Sequence, residues 1–168
     1  GLFLSEIASL QPGLEIFGVD RSEKHLDLAR RTFHRKKIAR GRLINADANH
    51  LPFDDAFFET IVSINFLMCL PSLEAVRCVL TEAARVLAPG GRLIVEFRNR
   101  KNLFLRLKYG LAKYYDGTLR DNPLTLYDPP ALMRVLRELG LEVTGQTYLD
   151  FFIKRYAPII FFEAKKNV

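Results

Sequence analysis

Residues 82–97 read EAARVLAPGGRLIVEF, and two periodicities meet inside them. Up to Leu87 the apolar residues keep helical spacing: Leu73, Val76, Leu80, Ala83 and Leu87 form one stripe of a helix that starts at Ser72. Ala88-Pro89-Gly90-Gly91 then ends the helix, since proline removes a backbone donor and glycine suits the turn beyond it. RLIVEF, 92–97, is an apolar run of strand length. A helix feeding directly into an apolar strand is half of a crossover between parallel strands.

Working upstream, the same alternation repeats. ETIVSINFLMCL (59–70) reads as a buried strand running into a connection, after a loop with a tight turn at Asp54–Asp55. GRLINADA (41–48) is a strand, and SEKHLDLARRTFHRKK (22–37) is a helix with Leu26, Ala29 and Phe33 on one face. Ser22 is its N-cap and Glu23 favours its first turn. LEIFGVD (14–20) is a strand, and LFLSEIASL before it is an amphipathic helix stopped by Pro12 and Gly13. Alternating strands and helices predict a doubly wound α/β fold with a mostly parallel sheet.

Downstream the pattern changes. Residues 99–127 are basic and aromatic, a helix followed by an irregular stretch. DPPALMRVLRELG (128–140) is a helix with Asp128 as N-cap, Pro129 in its first turn and Gly140 as stop. LEVTGQTYLDFF and RYAPIIFFEAKK then read as an antiparallel hairpin at one edge of the sheet.

The totals exclude several classes. The chain has 168 residues and a formal charge of +6, with no apolar run long enough to span a membrane. No secretory leader is visible, so the reading is a cytoplasmic protein. Cys69 and Cys78 lack metal spacing and read as reduced core thiols. His25, His34 and His50 form no metal motif, and only His50 lies beside a candidate ligand loop.

Two acids stand at strand ends. Asp20 closes its strand, where in a doubly wound sheet a carboxylate accepts hydrogen bonds from ribose hydroxyls. Asp47 closes the next, and with the backbone of Ala48 it could hold an adenine; the alternatives are a surface acid capping the following helix for Asp20 and a turn-forming acid for Asp47. Asn65 and Phe66 end the strand after that, placing an amide and a ring at the mouth of the same crevice, although a phenylalanine is more often core.

The order and spacing of GVDRS, NADANHLPFDDAFFETIVS and EAARVLAPGGRLIVEF resemble the class I S-adenosylmethionine-dependent methyltransferases, with RVLAPGGRLIV the most specific segment. The resemblance is close over about residues 1–98 and holds in outline for the closing helix and strand pair. It implies one methyltransferase-like domain over 1–168, with a substrate-side insertion at 99–127. It implies S-adenosylmethionine as cofactor, held by Gly1, Asp20, Arg21, Asp47, Ala48, Asn65 and Phe66. Gly1 corresponds to the last glycine of the family's G-x-G-x-G loop, so the chain reads as a fragment lacking the first, central strand, and inactive by itself.

The transfer is an in-line displacement that needs positioning and exclusion of water rather than a protein nucleophile or a metal. Arg98, Arg100, Lys101, Tyr109 and Tyr127 are the candidate acceptor-binding residues. The basic amphipathic helix they flank fits a small-molecule or lipid-like acceptor, an anionic membrane surface or RNA. Its simpler reading is a lid that packs Leu103, Leu107 and Leu111 on the sheet beneath a solvated basic face. Two alternatives remain open: a non-catalytic partner subunit, and a nicotinamide-dependent domain, which leaves DANHLPF and RVLAPGG unexplained.

Overall fold

The computed structural model describes residues 2–11, 13–115, 124–149 and 153–167, and Gly1 lies outside them. The elements are α1 (Leu2–Leu10), β1 (Ile16–Asp20), α2 (Glu23–Arg35), β2 (Gly41–Asn45), β3 (Phe58–Ser63), α3 (Leu73–Val86), β4 (Leu87–Arg98), α4 (Leu103–Tyr115), α5 (Pro129–Glu138), β5 (Leu141–Leu149) and β6 (Ile159–Lys166). Short 3-10 turns cover Leu67–Cys69 and Lys154–Tyr156. The chain divides into two compact units, Gly1–Pro52 and Phe53–Val168.

In the first unit β1 and β2 pair in parallel, with Ile16 opposite Gly41 and Asp20 opposite Asn45. α2 is the connecting helix, and it begins where the sequence predicts: the Ser22 hydroxyl accepts the His25 N–H at 3.3 Å. Leu26, Ala29 and Phe33 are buried, as their spacing requires. Gly41 is fixed by this packing, because a Cβ there would come within 2.2 Å of the Phe33 ring.

The second unit holds a four-stranded sheet in the order β3-β4-β6-β5. β3 and β4 are parallel, while β6 is antiparallel to both β4 and β5. The closing hairpin thus lies at one edge, with its later strand on the inside. The core lies here, built from Val76 and Leu80 of α3, Leu93, Val95 and Phe97 of β4, and Leu132 and Leu136 of α5, with Phe162 of β6 meeting Phe97 edge-on at 4.8 Å.

Several local expectations are corrected. Leu87 is the first residue of β4 rather than the last of the helical stripe, and Ala88–Gly91 form an irregularity within the strand. Gly90 has φ +73°, and a Cβ on Gly91 would sit 2.8 Å from the Ala88 carbonyl, so both positions need glycine. β3 has no fully buried residue, since among the described residues it pairs only with β4. Both cysteines are exposed rather than core. The Asp128 side chain makes no capping bond to α5; it faces the Lys101 ammonium at 3.5 Å.

Candidate functional site

In the first unit Asp20 is the last residue of β1 and Asp47 follows two residues after the end of β2, so both stand at the C-terminal edge of adjacent parallel strands. The local backbone explains the placement. Ala46 N–H donates to the Asp20 carbonyl at 3.3 Å, extending the ladder one residue past β2. The Asn45 amide donates to the Arg21 carbonyl at 3.0 Å, tying the two loops together. Asp20 Oδ1 accepts the Ser22 N–H at 2.8 Å and Oδ2 lies 3.3 Å from His25 Nδ1. A carboxylate offers about four acceptor positions, so Asp20, 43 % exposed, retains capacity for further donors.

Asp47 shapes its own loop. Its Oδ1 accepts both the backbone and the side-chain N–H of Asn49 at 2.9 Å, and its Oδ2 faces Arg21 Nη1 at 3.4 Å. The Asn49 backbone bond, with the Asn49 side chain and the Arg21 guanidinium behind it, holds the Asp47 carboxyl below the usual carboxylate range. Ala48 lies in the turn closed by the His50 N–H on the Asp47 carbonyl at 2.9 Å. Carboxylate oxygens accept and do not donate, which suits a ligand that presents hydroxyl or amino donors. His25, which the sequence places outside any metal motif, joins this group from the first turn of α2.

In the second unit Asn65 and Phe66 follow β3, and the two part company. Phe66 packs partly buried against the core. Asn65 adopts a left-handed φ of 54° and its N–H donates to Glu96 Oε2 at 2.9 Å. Its side-chain oxygen accepts Arg98 Nη2 at 2.9 Å. Arg98 Nη1 lies 2.8 Å from Glu96 Oε1, with the two side chains only 13 % and 4 % exposed. Arg98 is therefore part of a buried ion pair, and its Nε has no partner among the described residues. The sequence reading missed Glu96; an acid two residues before an arginine on one strand puts both on the same face, and that spacing could have revealed the pair.

Tyr127 is also taken up internally. It is 4 % exposed, and its hydroxyl is shared between the Leu70 and Leu67 carbonyls at 2.8 and 3.0 Å. Burial pushes its ionisation above the ordinary tyrosine value. Lys101 faces Asp128. Arg100 and Tyr109 remain together: with Arg106, Gly110 and Leu124–Leu126 they line an open depression of about 460 Å³.

The helix that carries Tyr109 differs from the lid expectation. Leu103, Leu107 and Leu111 of α4 are exposed, and Leu105 is the buried leucine. Asn102 sets the helix in place: its Oδ1 accepts the Leu105 N–H at 2.7 Å and its Nδ2 donates to the Tyr156 carbonyl at 2.7 Å. Asn99, fully buried, likewise donates to the Arg155 and Ala157 carbonyls at 3.0 and 2.8 Å. Among the described residues no group of three or more His, Cys, Asp or Glu could hold a metal ion.

With this geometry in view, the chain belongs to the methyltransferase domain family, whose model matches residues 1–95. The fold is the Rossmann-like methyltransferase fold. A SAM-dependent methyltransferase from Methanosarcina mazei superimposes with a TM-score of 0.76 over 97 % of this chain and 86 % of its own, at 18 % identity. In sequence the chain is similar to demethylmenaquinone methyltransferase of Tropheryma whipplei, 39 % identical over 83 % of this chain. It is also similar to phosphatidylethanolamine N-methyltransferase of Cereibacter sphaeroides, 28 % identical over 79 % of this chain. The chain spans 62 % of the length of each of these two relatives.

Proposed function

We propose that the protein takes part in S-adenosylmethionine-dependent methyl transfer to a small, lipid-like acceptor, with its cofactor's nucleoside end on Asp20 and Asp47. The observation that carries this reading is the placement of two acids at the C-terminal edge of adjacent parallel strands, with acceptor capacity on Asp20 left over. The donor set fits the group. Asp20 accepts from the ribose hydroxyls; Asp47, ordered by Asn49, presents its outer oxygen together with the turn at Ala48 to the base; Arg21 flanks both. Bound S-adenosylmethionine supplies a methyl group on a sulfonium that departs as a neutral thioether.

The acceptor side rests on Arg100, Arg106 and Tyr109, which share one open depression. Two guanidiniums beside a phenol suit an acceptor with an acidic or phenolic head and an apolar body. Arg98 and Tyr127 act as positioning residues: one holds the left-handed Asn65 turn, the other fixes the Leu67–Leu70 turn after β3. The two named relatives act on a demethylated menaquinone and on phosphatidylethanolamine, which supports a lipid-like acceptor.

Calorimetric titration with S-adenosylhomocysteine tests the cofactor site. Asp20→Asn should weaken binding about ten- to hundredfold, the loss expected when a charge-assisted hydrogen bond becomes neutral. Equal affinities for the two proteins would remove Asp20 from the site, and tighter binding of a nicotinamide dinucleotide would replace the reading.

A further inference from the structure

We propose that α4 is an interfacial helix that seats the protein on anionic lipid bilayers. Leu103, Phe104, Leu107 and Leu111 are 68, 70, 62 and 46 % exposed, an unusual density of apolar surface on a helix of 13 residues. At roughly 100° per residue these four side chains fall within about 100° of arc. Buried Leu105 points to the opposite side, so the stripe faces away from the body of its own unit.

The borders of the stripe are cationic. On the same wheel, Arg106 lies about 60° beyond one edge of the arc and Lys108 about 40° beyond the other. From Arg100 to Tyr115 the sequence holds no acid at all. The segment 153–156, pinned to the start of α4 through the Asn102 and Asn99 amides, repeats the composition as Ile-Lys-Arg-Tyr, with Ile153 and Tyr156 exposed. An apolar stripe edged on both sides by long cations is the arrangement that sinks into the acyl boundary while Lys and Arg reach the head groups. No helix among the described residues is long and apolar enough to cross a membrane, so the helix lies on the surface. A nucleic acid would use the cations but leave the leucines in water, and a second copy of this chain would meet the cations with cations. The anionic bilayer satisfies both features.

The inference stands independently of the cofactor reading, because it is measured without cofactor or acceptor. Sedimentation with vesicles of phosphatidylcholine alone, and of phosphatidylcholine with an equal share of phosphatidylglycerol, tests it. The expected result is binding to the anionic vesicles only, weakened by salt. Leu107→Asp and Phe104→Asp should each lower the partition about tenfold or more. Lys108→Glu and Lys154→Glu should each lower it about fivefold or more. All four positions are on the surface, so circular dichroism should report unchanged folding. Equal partition on both vesicle types, no partition on either, lipid-independent dimerisation abolished by Leu107→Asp, or RNA binding without vesicle binding would each overturn the proposal.

Discussion

Replacing Glu96 by Gln isolates the contribution of one buried charge. The substitution keeps the shape of the side chain and an oxygen for the Asn65 N–H, and removes the charge facing Arg98 at 2.8 Å. With Glu96 at 4 % and Arg98 at 13 % exposure, water cannot replace the lost partner. Breaking a buried pair costs about 3–5 kcal/mol. Arg98 keeps its bond to Asn65 Oδ1 at 2.9 Å, which places the expected loss near the lower end, about 3 kcal/mol. In urea this moves the unfolding midpoint down by roughly 1–3 M. Arg98→Met should cost a similar amount by leaving the carboxylate unpaired. Glu96→Gln together with Arg98→Met should cost less than the two single losses added, with a coupling of about 1–3 kcal/mol, because no orphaned charge remains. Losses under about 1 kcal/mol, as for an exposed pair, or strict additivity, would refute the reasoning.

Tyr127→Phe should destabilise by about 1–2 kcal/mol in thermal or urea unfolding, since the Leu67 and Leu70 carbonyls lose their shared donor. Its raised ionisation makes the contribution of the hydroxyl full below the ordinary tyrosine pKa of about 10 and lost as pH rises through the folded-state value, which an ultraviolet titration of wild type against Tyr127→Phe resolves. For Asp47 the sign is opposite. Its depressed carboxyl stabilises the fold above the ordinary aspartate range and ceases to do so as pH falls through the depressed value; carbon-detected NMR titration should show Asn49→Ala raising that value, with an unchanged midpoint removing the Asn49 side chain from the loop.

Most of the first-unit geometry was legible because it is local. Ser22 is a capping residue in front of a clear stripe, and the structure shows both the cap and the buried stripe. Asp20 ends β1 and Asp47 lies two residues past β2, which stops at Asn45 rather than running to residue 48, so their neighbourhood follows once the strands are recognised as parallel. The start of β4 was not legible, because Pro89 and two glycines mark a turn by composition while the ladder to β3 continues around them. Glu96 and Arg98 escaped notice for a related reason: hydropathy treats each charge as a surface residue, and only the strand's two-residue period shows that they share a face. The leucines of α4 expose the limit of periodicity itself. A repeat every fourth residue identifies a helical face without stating what lies opposite it, and here the face on the protein side is the one holding Leu105.

The strand order carries a consequence for how the second unit comes together. β5 is synthesised before β6 yet, among the described residues, bonds to no other strand, and β6 alone joins it to β4. Until β6 exists, β5 has no ladder and β4 keeps one open edge. Its arrival closes both: Arg92–Arg98 pair on one side of it and Leu141–Leu149 on the other. Sheet completion is then a single late event over long sequence separations, the kind of step that is slow and leaves unpaired edges available to other chains. On a ribosome, the half-made sheet waits with its stickiest surface open until the residues from Ile159 onward have left the exit tunnel.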